Sequence, residues 1–259
     1  MELSQIINLE TYPIFDPQFR ATCRAQLEEN GVLAMPEFVT KSAIKSIREE
    51  GVTNRDKVYA STEQHTVYLS PIDPDFSDDH PRNRLVTSSK GCITDDLIPS
   101  ESPLRDLYNA EIFREFLCDV LGETALYEYE DPLSSINLHF AEKGQELGWH
   151  FDNSSFAITL MVQPPVSGGQ FEYVIGLREA DDGEMNYKGV ADVLDGQRDV
   201  KKLSMDAGAL VFFRGRNSIH RVAPNQGEQT RMLAVLAYNN EPGISLSEDA
   251  RLTFYGRTK

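Results

Sequence analysis

The run Trp149-His150-Phe151-Asp152 holds the side chains best suited to chemistry in this 259-residue chain. On a strand, residues i and i+2 face the same side. His150 and Asp152 would then offer an imidazole nitrogen and a carboxylate oxygen together, with Phe151 on the other face. That donor pair suits a divalent transition metal. Alone it is a weak signal, since an exposed His-x-Asp pair is the plain alternative.

Two further pieces strengthen it. From Asp206 to His220 a glycine turn leads into the apolar run Ala209–Phe213, then a second turn, then the histidine. Its ordinary reading is a hydrogen-bonded core histidine. Next, Arg231 opens the almost wholly apolar strand Arg231–Tyr238, eleven residues after His220. An arginine rarely enters a core unpaired. Its planar fork grips a carboxylate through two parallel hydrogen bonds, so Arg231 should meet either a protein acid or a bound one. Two histidines and one carboxylate make the facial triad of non-haem iron(II) oxygenases, which leaves coordination positions open. The order is His-x-Asp, a second histidine 70 residues after the first, then the arginine. It suits a β-barrel with its site at the mouth.

The elements needed to position these groups can be read in outline. Residues 16–30 have helical spacing (Phe19, Cys23, Leu27) with Gly31 as the stop, and Val32–Met35 reads as a strand ended by Pro36. Thr40 can cap a helix through Ile44 and Ile47 to Glu50. Residues 53–102 read as loops with short strands such as Thr66–Leu69, and 103–121 as one helix ended by Gly122. From 124 onward, short β-rich runs (124–129, 134–140, 156–163, 170–175, 209–213, 231–238) alternate with turns. That pattern predicts an antiparallel sandwich or barrel. Residues 178–202 read as an insertion, and Ser167-Gly168-Gly169 as a strand-joining turn. The fold class is thus mainly β with helical additions, the N-terminal helices packing outside one β core. We expect a single domain, 1–259, with a helical and loop region over residues 1–123, a core over 124–240 and a C-terminal extension over 241–259.

Composition excludes several functions. Lysine plus arginine total 25 against 41 acidic residues, a formal charge of −16, which argues against binding a nucleic-acid backbone. It leaves room for a local cationic pocket. No apolar stretch approaches membrane-span length, so no membrane partner is expected. The opening Met-Glu-Leu-Ser-Gln has neither a basic nor an apolar leader region. Three scattered cysteines, with no Cys-x-x-Cys, suit a reducing cytoplasm, the expected location. Neither a phosphate-binding glycine loop nor a Gly-x-Ser-x-Gly elbow occurs.

With these motifs in place, the chain resembles the iron(II)/2-oxoglutarate-dependent dioxygenases, whose core is a double-stranded β-helix, or jelly roll. The likeness covers about residues 124–240, and Gly31–Val39 resembles the opening strand of such enzymes. A closer likeness is to the bacterial subgroup of free-amino-acid hydroxylases and radical halogenases. It rests on Gly148-Trp-His-Phe-Asp152, on Phe213-Arg-Gly-Arg-Asn-Ser-Ile-His-Arg-Val-Ala-Pro224, and on Pro242-Gly-Ile-Ser-Leu-Ser with Phe254-Tyr-Gly-Arg257. The resemblance implies Fe(II), 2-oxoglutarate and O2 as cofactors, with His150, Asp152 and His220 as both metal ligands and catalytic centre. It implies Arg231 on the far carboxylate of 2-oxoglutarate and a small-molecule substrate, an amino acid, hydroxylated with release of succinate and CO2. The subgroup's halogenases carry glycine or alanine where Asp152 stands, which frees a position for chloride. Asp152 therefore points to oxygen insertion.

Other residues are weaker candidates. Asn137 and His139 share one face of the strand Ser135–Phe140 and could touch 2-oxoglutarate or substrate if that face is interior. Arg82 and Arg84, in a proline-rich loop, could bind a substrate carboxylate, and Glu130 in the run Glu128–Asp131 an ammonium group. Arg214 and Arg216 could orient Asp152 or bind a substrate carboxylate, Trp149 could wall the site, and His65 and His80 read as surface residues. Two competing functions remain open at this point: a protein or peptide side-chain hydroxylase, and a non-catalytic cupin-like metal-binding module.

Overall fold

In the computed structural model, which describes residues 1–259, capping signals account for the first elements. After the single turn α1 (Leu3–Ile6), Asp16 caps α2 (Pro17–Asn30) by accepting from the Gln18 N–H at 2.8 Å. Gly31 ends that helix at φ 66°, and β1 (Val32–Met35) follows. Thr40 caps α3 (Lys41–Thr53), which runs past the expected end at Glu50. Gly51 permits this, because a β-carbon there would lie 2.8 Å from a Leu138 methyl.

The single helix expected over 103–121 is two, α4 (Pro103–Asn109) and α5 (Glu111–Leu121), separated by Ala110 at ψ 118°. The break lets Tyr108 lock onto the β core. Its hydroxyl donates to the Ala237 carbonyl at 2.7 Å, the Tyr238 hydroxyl donates to the Tyr108 carbonyl at 2.8 Å, and the two rings stack at 4.3 Å.

The strands that follow are β2 (Tyr59–Thr66), β3 (Leu85–Ile93), β4 (Ile136–Ala141), β5 (Leu147–His150), β6 (Ala157–Gln163) and β7 (Phe171–Val174). After α6 (Tyr187–Leu194) come β8 (Lys201–Leu203), β9 (Leu210–Phe213), β10 (Ile219–Val222) and β11 (Arg231–Leu236), and α7 (Glu248–Tyr255) closes the chain. They form a seven-stranded sheet, β1-β9-β6-β11-β4-β3-β2, and a four-stranded sheet, β5-β10-β7-β8, with antiparallel pairing throughout. The sheets face each other. The Phe213 ring on β9 lies 5.0 Å from Phe171 and 4.8 Å from His220 on the smaller sheet. This is the jelly roll that the resemblance implies.

Alternation along the strands divides core from cavity. Ile136, Leu138 and Phe140 of β4 and Met232, Ala234 and Leu236 of β11 join one apolar core with α2 to α5 on the outside. The residues between them, Asn137, His139, Arg231 and Leu233, face the interior between the sheets. A second apolar cluster, including Trp149, Phe151 and Tyr68, packs with α6 behind the smaller sheet.

Several expectations need correction. Residues 53–102 are not mainly loop: β2 and β3 make a long ribbon that extends the larger sheet, joined through residues 67–84, and the expected strand Thr66–Leu69 is the end of β2 followed by a turn with Leu69 at φ 51°. The ribbon carries polar residues on both faces, so it lacks the apolar alternation that marks a strand. Residues 124–129 form no strand, only an isolated bridge between Tyr127 and Asn239. The insertion 178–202 contains α6 and reaches into β8. No helix is long and apolar enough to cross a membrane.

Candidate metal centre and adjoining cavity

His150 ends β5, His220 lies on β10, and the two are direct antiparallel partners with ring centroids 4.2 Å apart. Each imidazole is oriented by the carbonyl two residues before it. His150 Nδ1 donates to the Gly148 carbonyl at 2.7 Å, and His220 Nδ1 donates to the Ser218 carbonyl at 3.0 Å. Both Nε2 lone pairs are thereby left for one shared space. Asp152, just past β5, donates its N–H to the Gly215 carbonyl at 3.1 Å. Its Oδ1 lies 3.5 Å from His220 Nε2 and 3.8 Å from His150 Nε2, while its buried Oδ2 has no partner. One ligand atom from each residue falls within 4.8 Å of the others.

The electrostatics suit a cation. Burial, then the neighbouring His220, hold the His150 imidazole well below its usual range, so it is a neutral donor. Burial alone would raise the Asp152 carboxyl, but His220, His150 and Arg178 together keep it below the ordinary range and ionised. Two imidazole nitrogens and a carboxylate on one face, with an orphaned carboxylate oxygen, fit Fe(II) with open positions.

Arg231 is 4% exposed on β11, opposite Ala141. No protein carboxylate meets it, its Nε has no partner, and burial lowers its pKa to about 10, leaving it charged at neutral pH. Gly169 keeps space beside it, since a β-carbon there would approach Arg231 Cδ to 3.4 Å. The protein-acid alternative for this cation is therefore absent, and the arrangement fits a bound anion.

The remaining candidates separate. Asn137 and His139 do face the interior. Both Asn137 amide N–H groups are spent on the Leu133 and Ile136 carbonyls, and its oxygen accepts from the Tyr255 hydroxyl at 2.9 Å. His139 lies near Lys90 and Arg231; burial, then these two charges, hold it well below its usual range and neutral. Arg82 has a buried, unpartnered Nη1 and sits 5.8 Å above Tyr68, which stacks on Phe151 at 5.5 Å.

Others are engaged elsewhere or distant in role. Arg84 pairs with Asp195 at 2.7 Å, and Glu130 is exposed with its N–H bonded to the Ile244 carbonyl. Arg214 donates to the Leu121 carbonyl and Arg216 pairs with Asp181, so neither orients Asp152. Trp149 packs in the cluster behind the smaller sheet, beneath Arg221 at 4.8 Å, so it does not wall the site.

Sequence reasoning missed Arg178, His65 and the wall that His65 belongs to. Arg178, from the insertion, lies 4.0 Å over the Phe151 ring and contributes to the field on Asp152. His65, expected at the surface, instead lies edge-on to His150 at 6.2 Å and bonds to Ser88 Oγ at 2.7 Å. It helps line a cavity of about 310 Å³ that opens beside His150, walled by Ser61, Glu63 and Lys90 of the β2–β3 ribbon and by Phe254 of α7. The alternation of half-buried Ser61, Glu63 and His65 with exposed Thr62 and Gln64 is the period-2 signal that marks this wall.

The sequence matches the family described as halogenase D over residues 15–250. No curated protein matches the chain. Among solved structures, it is similar to an oxidoreductase of the 2OG-Fe(II) oxygenase family from Burkholderia pseudomallei, at 13% identity over 86% of this chain and 92% of that one, TM-score 0.56. It is similar to SnoN, a non-haem alpha-ketoglutarate-dependent epimerase from nogalamycin biosynthesis, at 14% identity over 86% and 81%, TM-score 0.61. A Pseudomonas putida prolyl-4-hydroxylase matches at 13% identity over 83% and 96%, TM-score 0.51. At these identities the structural likeness speaks for the fold.

Proposed function

This chain belongs to the halogenase D family, among the iron(II)- and 2-oxoglutarate-dependent oxygenases, and we propose that within that family it is a hydroxylase of a small polar molecule, a free amino acid. His150, Asp152 and His220 hold Fe(II), and Arg231 pairs with the far carboxylate of 2-oxoglutarate. The cofactors, Fe(II), 2-oxoglutarate and O2, supply C–H oxidation coupled to decarboxylation of the co-substrate to succinate and CO2. The chain's own contribution is placement. The two backbone-anchored imidazoles and the buried carboxylate are the groups that would hold the metal, already turned toward one shared space. The interior between the sheets shelters the reaction from water.

The observation that carries the hydroxylase reading is Asp152. Halogenases of the resembling subgroup lack a carboxylate at this position. Here Asp152 is ionised and turned toward both histidines, which supports a filled triad with no seat for chloride. A cavity of about 310 Å³ beside His150 lies at the low end of the roughly 300–1,000 Å³ typical of small-molecule sites, which favours a small substrate over a peptide. We place the protein in a reducing cytoplasm, consistent with three unpaired cysteines.

The test is product analysis. The protein is supplied with Fe(II), 2-oxoglutarate, labelled O2, chloride and each of the common amino acids. One amino acid should gain a single labelled oxygen atom and no chlorine. A chlorinated product, or a labelled peptide side chain with no free amino acid turned over, would overturn the reading.

A further inference from the structure

The ribbon β2–β3 presents a face to the cavity that neither the metal nor 2-oxoglutarate explains. On that face Ser61 pairs with Lys90 and Glu63 with Ser88 in the strand register, so Lys90 and Glu63 are diagonal neighbours. Such diagonal neighbours lie about 7–8 Å apart, with their β-carbons somewhat closer. They do not form an ion pair with each other, and neither makes a side-chain hydrogen bond elsewhere. The Lys90 ammonium lies 5.6 Å over the Phe254 ring, and its charge bears on His139 behind it. Both charges line the same cavity as the metal ligand His150. A cation and an anion side by side on a cavity wall, with no ion pair between them, suit an occupant that carries both charges.

We propose that Lys90 and Glu63 are the specificity residues of the substrate site, and that together they bind the carboxylate and ammonium of one α-amino acid, Lys90 taking the carboxylate and Glu63 the ammonium. This rests on the oxygenase reading above and names how that site selects its substrate. The spacing suits it: two long side chains from diagonal positions can close on the adjacent charges of one zwitterion, which neither a simple amine nor a simple acid satisfies. Burial pushes the Lys90 ammonium below its ordinary value, a cost that a carboxylate seated beside it relieves. With both charges held on the ribbon wall, the substrate's side chain is the portion left to extend toward His150. The oxidised carbon therefore lies on the side chain, not at the α position. Phe254 of α7 covers the charged end.

The test compares matched ligands on the unaltered protein, then on variants. Succinate formation is measured with each of the twenty amino acids at roughly millimolar concentration, and for the best of them with its decarboxylated amine and its deaminated acid. At least one amino acid should stimulate turnover, and both truncated analogues should fail to do so. K90M and E63Q should each raise KM for that amino acid about tenfold or more, with KM for 2-oxoglutarate unchanged, and K90R should partly restore it.

Stimulation by an amine or acid as strong as by the amino acid overturns the proposal, as does stimulation by none of the twenty. So does a K90M effect on 2-oxoglutarate alone, which would move Lys90 to the co-substrate site. Failure of the oxygenase reading is separate, because the protein would then form no complex with Fe(II) and 2-oxoglutarate at all.

Discussion

Gly215 makes the room that Asp152 occupies: a β-carbon at Gly215 would overlap the Asp152 carboxylate, while the Gly215 carbonyl accepts the Asp152 N–H at 3.1 Å. The turn before β10 thus seats the acidic ligand as well as delivering His220. Gly215→Ala should leave the fold intact, push the carboxylate away from the two Nε2 atoms, and weaken Fe(II) binding about 10- to 100-fold, as loss of an orienting contact around a metal does. Anaerobic metal titration reads this directly. Unchanged affinity would mean that Asp152 is not held as a ligand.

Removal of any one ligand should end turnover. In chloride-free buffer, which leaves no anion to take the place of Asp152, His150→Ala, Asp152→Ala and His220→Ala are each expected to abolish amino-acid-stimulated succinate formation. Because the two imidazoles are anchored independently through Gly148 and Ser218, each variant should keep the other ring in place. Retained activity in any one of them removes that residue from the metal.

Arg231 separates cofactor binding from stability. An unpaired buried cation destabilises the empty protein, so Arg231→Met should leave the apo melting temperature equal or higher. 2-Oxoglutarate should raise the melting temperature of the native protein and not that of the variant. KM for 2-oxoglutarate should rise about thirtyfold or more, while Fe(II) affinity stays the same. A variant that still responds to 2-oxoglutarate contradicts the assignment.

His139 predicts a pH dependence. Burial, then Lys90 and Arg231, depress its pKa in the folded state, whereas in the unfolded chain it titrates near 6.5. As pH falls below about 6.5 the unfolded state takes up a proton that the folded state refuses. The stability contributed by neutral His139 is therefore present above that pH and lost below it, by up to about 1.4 kcal/mol per pH unit. His139→Gln should flatten the stability profile between about pH 6 and 5 by roughly one proton's slope. Denaturant melts of the two proteins at matched pH values provide the comparison, and parallel profiles would show that His139 titrates normally.

The features of this site legible in the sequence are those with local grammar. His150 and Asp152 are two residues apart, His220 follows a glycine-bounded apolar strand, and Arg231 is a charge opening an otherwise apolar one. Each reads as an anomaly against its own segment. Lys90, Glu63 and His65 were not legible, because the ribbon that carries them is polar on both faces and one of those faces lines a cavity rather than a core. The same polarity hid β2 and β3 themselves. Arg178 comes from a charged insertion, and only the tertiary contact with Phe151 marks it. The break at Ala110 is likewise tertiary in origin, since it is the Tyr108–Tyr238 exchange across distant segments that rewards it.

The most direct test of the account is anaerobic addition of Fe(II) and then 2-oxoglutarate, followed by visible absorption. Chelation of the metal by the keto acid at this centre predicts a weak charge-transfer band in the green that appears only with both components, and that is lost in His220→Ala. An intact, iron-loaded protein that shows no such band with saturating 2-oxoglutarate would contradict the claim that His150, Asp152 and His220 form a working iron site.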